Sequence, residues 1–163
     1  MDPELEPQIN QFIEDWRGRI SRIDQLATAV LNTHFLLEAK INELLESVAK
    51  SPKFLQLESN IPFAQRVKWL RAFAPFGEDK SWELVLAINR LRNKVAHKFD
   101  GRERKKALQD LRNEFAPTLE RSGLVSNVNE WPEIFVIQAA GRESYRFLSR
   151  IEHACSPKHS GGD

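Results

Sequence analysis

The chain has one cysteine, Cys155, so no disulfide can form within it and no cysteine cluster can hold a metal. A reducing compartment is therefore expected, most simply the cytoplasm. The opening residues, Met1 to Glu6, are acidic and show neither a basic stretch nor an apolar run, which argues against a secretory signal. No apolar run approaches the roughly 20 residues of a membrane span, and no membrane partner is expected. An excess of one charge is also missing: 24 Lys and Arg against 23 Asp and Glu leave a formal net charge of +1. No global field points to a polyanionic partner, so a nucleic-acid surface would have to come from local clustering. Sustained period-two alternation, internal repeats and low-complexity tracts are absent as well, and so are HExxH and a phosphate-cradling glycine loop.

What is present is helical spacing in a chain of 163 residues, 41% hydrophobic and 29% charged, enough for one domain with a sizeable core. A first helix over 4–22 carries the stripe Ile9, Phe12, Ile13, Trp16 and Ile20. A second, capped by Asp24, runs to about Lys50 with Val30, His34, Leu37, Ile41, Leu44 and Val48 in line. Leu31, Phe35 and Leu45 broaden that stripe, which predicts a helix central to a bundle. Ser51-Pro52 breaks the pattern. A third helix starts at 60–62 with Phe63, Val67 and Leu70 inward, and Pro75 and Gly77 end it. A fourth, over 82–98, has the stripe Leu84, Ile88, Leu91 and Val95. A fifth, over 103–115, is expected to stop before Pro117, with 118–130 as a loop. A last helix follows Trp131-Pro132 with Ile134, Phe135, Ile137, Phe147, Leu148 and Ile151. Residues 1–155 are thus predicted to form a single all-α domain, an up-and-down helical bundle, and 156–163 a disordered tail.

The fourth helix ends in Arg90-Leu91-Arg92-Asn93-Lys94-Val95-Ala96-His97-Lys98. Arg-Asn, two residues, then Ala-His at the end of an amphipathic helix resembles the signature of the HEPN superfamily, Arg followed four to six residues later by His, written RNxxxH. Arg92, Asn93 and His97 match it. Over residues 24–115 the chain also resembles the branch related to the mannitol operon repressor, through the FAQRVKWL and RLRNKVAH helices. The first and last helices lie outside that match. The resemblance implies a HEPN-like bundle that pairs as a homodimer. In many relatives the Arg and His form a metal-independent endoribonuclease site, in toxin or defence systems with an antitoxin partner. Other members are non-catalytic regulators that work through protein–protein contacts. No cofactor or metal is implied.

The residue types suit RNA cleavage. His97 would take a proton from a ribose 2′-hydroxyl or give one to the leaving oxygen. Arg92 offers a permanent charge and a planar fork of donors to phosphate. Asn93 would fix the His97 ring or hold a phosphate. At about 100° per residue, Arg92 and His97 lie roughly 140° apart on one helix. Two symmetry-related helix ends facing each other would bring them together, which fits a twofold dimer. Arg90, Lys94, Lys98, Arg102, Arg104 and Lys105, with Lys106, form the strongest basic clustering and are the candidate nucleic-acid contacts; the competing reading is a solvated helix end. Arg92 has a bland alternative too, an ion pair with Glu83 or another carboxylate. His34 and Glu38, four apart on the second helix, read as a satisfied core pair or as a polar accessory to the site. His153, Cys155 and His159 do not make a metal site, and the four tryptophans read as core or interface residues.

Overall fold

A computed structural model describes residues 5–20, 25–50, 53, 55, 61–96, 101–121, 123 and 127–155; for 5, 6, 8, 16–20 and 96 only the backbone is described. These residues form an all-α bundle: α1 Leu5–Ile20, α2 Gln25–Val48, α3 Phe63–Phe73, α4 Ser81–Ala96, α5 Gly101–Arg121 and α6 Glu133–Cys155, with one 3-10 turn at Val128–Glu130 and no strand among them. The proposed tail 156–163 lies outside the described residues, as do His97, Lys98 and the side chains of Trp16 and Ile20. No described helix is long and apolar enough to cross a membrane.

Two helices make the centre. α2 packs against α3, α4 and α6, and α4 packs against α2, α3, α5 and α6. The α2 stripe behaves as its spacing predicts: Val30, Leu37, Ile41, Leu44 and Leu45 are buried. Leu31 and Phe35 do not join it. They are exposed, because they lie on the arc of α2 that none of its three neighbours covers. The same correction applies to Phe135 on α6, which is 52% exposed. On α4 the buried surface is wider than one stripe. Trp82, Val85 and Ala87 are as buried as Leu84, Ile88 and Leu91, since four helices surround α4. Trp82 meets Phe147 of α6 edge-on at 4.9 Å and donates from Nε1 to the Phe76 carbonyl.

Side-chain pairs fix the chain directions. Gly141 of α6 lies against Thr33 of α2, and further along Glu152 of α6 bonds Lys40 of α2 at 2.6 Å. These two helices therefore run the same way. α4 runs the opposite way, because Asp79 faces Arg150 while Trp82 meets the earlier Phe147. The C-terminal end of α4, near which Arg92 lies, is thus at the end of the bundle where α2, α6 and, after a short connection, α5 begin.

α5 does not stop at Pro117. It continues to Arg121, with Pro117 inside it, so 118–121 is helix rather than loop. Pro117 is exposed and Leu119 beyond it is buried, so packing of the last turn outweighs the backbone hydrogen bond that proline cannot make. Gly123, at φ 73°, carries the chain away in the left-handed region that glycine tolerates. Buried Arg112 then anchors the return by donating to the carbonyls of Val128 and Trp131.

α1 has no comparable place. Ile9 is 48% and Phe12 68% exposed, so these two residues of its apolar stripe do not enter the core, and Ile13 is half-buried.

Candidate functional site

Arg92 sits one turn from the described end of α4, half-buried, and flanks the core stripe as its spacing requires. Its Nη1 donates to Asn93 Oδ1 at 3.3 Å, a long bond. Its Nε is buried and has no hydrogen-bond partner. Among the described residues no carboxylate is paired with Arg92. Glu83, the partner considered for it, instead accepts from Arg71 of α3 at 3.3 Å. The charge of Arg92 acts on a buried imidazole, His34 of α2, and opposes the protonation of that ring.

His34 was legible only as half of a pair with Glu38. The pair exists, with Nδ1 3.8 Å from Glu38 Oε2. The closer partner comes from α4: His34 Nε2 stands 3.1 Å from Asn89 Oδ1 and donates to it when the ring carries its proton there. Phe63 of α3 covers the ring at 4.4 Å. Burial pushes the His34 pKa below its usual value; Asn89 and Glu38 act against this shift and the Arg92 charge adds to it. Glu38 also accepts from Arg66 of α3 at 3.1 Å, and Arg66 reaches Asn42 Oδ1 at 2.9 Å. A polar seam thus runs from Arg66 through Glu38 and His34 to Asn89 and on towards Arg92, between α2, α3 and α4. Sequence reasoning missed Asn89 and Arg66 as members of this seam, because the signal is a contact between helices and not a spacing within one.

The other side of the α4 end faces α5. Arg90, Asn93 and Lys94 line an open cleft of about 430 Å³ with Glu103, Lys106 and Asp110 of α5. Lys94 bonds Glu103 at 2.8 Å, and this bond and its charge hold the Glu103 carboxyl below the usual range. Arg90, Arg102, Lys105 and Lys106 are exposed, and Arg104 is half-buried. The basic cluster is therefore spread along the outer face of the α4–α5 corner, with Glu103 and Asp110 inside it. Asn93 belongs to both sides: it accepts from Arg92 and it lines the cleft. The positions of His97 and Lys98 fall outside the described residues, so the Arg92–His97 distance is not part of this geometry.

No three His, Cys, Asp or Glu side chains among the described residues are grouped to hold a metal ion, and Cys155 is a free, half-buried thiol whose pKa burial raises. No family model matches the chain, and no curated protein or solved structure is significantly similar to it. The resemblance to HEPN proteins therefore rests on the Arg92-Asn93…His97 motif and the helices around it.

Proposed function

We propose that the protein is a HEPN-type, metal-independent endoribonuclease or RNA-binding protein, active as a homodimer in which Arg92, Asn93 and His97 of two copies form a composite site. A toxin or defence role with an antitoxin or regulatory partner follows from the same resemblance. The observation that carries the reading is Arg92. A guanidinium with a buried, unpartnered Nε and no described carboxylate is an unusual thing to keep at a helix end unless an anion completes it. Phosphate, like carboxylate, matches the geometry of that fork, and the RNA backbone supplies it.

In this scheme Arg92 binds the scissile phosphate and stabilises the charge that builds on it. His97 takes the proton of the ribose 2′-hydroxyl as its oxygen attacks phosphorus; the bond from phosphorus to the 5′-oxygen breaks, that oxygen takes up a proton from the protonated His97, and the products are a 2′,3′-cyclic phosphate and a free 5′-hydroxyl. The seam behind Arg92 supports its position. Neutral His34 adds no competing positive charge next to Arg92, and Asn89 ties α2 to α4 just before the motif. Arg90, Lys94, Lys98, Arg102, Arg104 and Lys105 would follow the RNA backbone on either side. The non-catalytic regulator implied by the mannitol operon repressor branch has no specific observation in its favour here.

The test is incubation of the purified protein with mixed RNA in excess chelator. Cleavage is expected to survive chelation, to fail in His97→Ala with helicity retained, and to spare a substrate 2′-deoxy at the cleaved position. Arg92→Lys should also be poor, because a point charge replaces the fork. Cleavage that stops with chelator, or persists in His97→Ala, would overturn the mechanism.

A further inference from the structure

Two unpartnered apolar surfaces in this chain complement each other. The first is α1. Its stripe repeats at helical spacing, yet Ile9 and Phe12 face solvent, and α1 shows no extended packing on another described helix. A helix of 16 residues is marginal in water on its own and gains stability by burying such a face. The second is a groove of about 460 Å³ between α2 and α6, with Leu36 and Tyr145 on its walls and Leu37 and Gly141 at its floor. Leu36 is 59% and Tyr145 45% exposed. Gly141 closes the floor by bringing α6 so close to α2 that even a Cβ there would lie 2.5 Å from the Thr33 methyl. Its rim carries Arg142, whose side chain is 69% exposed and, among the described residues, pairs with Glu143 at 3.6 Å.

We propose that α1 of one copy of this chain lies in the α2–α6 groove of a second copy. Ile9, Phe12 and Ile13 fill the apolar floor, and Asp15, on the edge of the α1 stripe, comes opposite Arg142. Each copy offers one arm and one groove, so reciprocal exchange closes as a twofold pair without leaving either surface free. The arm leaves from the start of α2, the same end of the bundle as Arg92. Exchange therefore draws together the ends at which the two motifs stand. The inference shares with the proposed function only the need for a second copy, and it needs no RNA cleavage.

The test is a mixed cross-link in a Cys155→Ser background, which removes the native thiol. Chains carrying Phe12→Cys and chains carrying Tyr145→Cys are purified separately, mixed and mildly oxidised. A disulfide-linked dimer of mixed mass is expected. Sedimentation of Phe12→Asp should show a dimer dissociation constant at least about tenfold higher than that of the unaltered chain, with helicity of the bundle unchanged. A bridge formed within one chain in the double variant Phe12→Cys/Tyr145→Cys, and none between chains, would show α1 folding onto its own groove and overturn the proposal. A dimer indifferent to Phe12→Asp would overturn it and leave the composite site standing. A monomer at all concentrations would overturn both.

Discussion

Replacing Gly141 by alanine measures the close approach of α6 to α2, with a sign that depends on one neighbour. In an isolated helix the change would stabilise by about 1 kcal/mol, because glycine is the weaker helix former. Here the new methyl would stand 2.5 Å from the Thr33 methyl, far inside van der Waals contact. Thr33 is β-branched and has few rotamers to which it can retreat. Overpacking of this kind costs about 1–3 kcal/mol, so Gly141→Ala is expected to be neutral to destabilising by up to about 2 kcal/mol. In a Thr33→Ser background the offending methyl is gone. The next atoms, Oγ1 and Cβ, lie at 3.5 and 3.6 Å, ordinary contact distances. There the same substitution should stabilise by about 1 kcal/mol. Urea unfolding of the four chains, followed by helical circular dichroism, gives the coupling energy directly, expected at about 1–3 kcal/mol. A Gly141→Ala change with the same effect in both backgrounds would refute the packing of α6 on α2 described above.

Two further outcomes follow from the fold. Pro117→Ala restores a backbone donor inside α5 at an exposed position and should raise stability by about 1–3 kcal/mol in the same unfolding assay; a loss would mean that the helix is not continuous there. His34 is held neutral mainly by burial, so its folded pKa is below the ordinary 6.5. As pH falls through 6.5 the unfolded chain gains a proton that the folded chain refuses, and stability declines until pH passes the folded value. His34→Gln, which keeps a donor for Asn89, should flatten that decline between neutral and mildly acid pH, and identical pH profiles would contradict the burial of the ring.

The helices were readable where one face meets one core, as in α3 with Phe63, Val67 and Leu70 all buried. The reading failed where neighbours outnumber or fall short of what a stripe assumes. α4 buries residues almost all round because four helices touch it, whereas Leu31 and Phe35 of α2 and Ile9 and Phe12 of α1 are left outside. Pro117 misled because local backbone chemistry is weaker than the burial of Leu119 two residues later. At the candidate site the motif itself was legible as a run of residues. The seam behind it was not: Asn89 and His34 are 55 positions apart, and only the crossing of α2 and α4 joins them.

The composite site is the central claim, and mixing two inactive chains tests it most directly. Arg92→Ala and His97→Ala homodimers each lack a group that every site needs. After subunit exchange about half of the dimers are mixed, and each has one site with both Arg92 and His97 intact, contributed by different copies. The account predicts that the mixture regains about a quarter of the unaltered RNA-cleaving activity in chelator, while neither variant alone has any. Exchange of subunits without return of cleavage would contradict it.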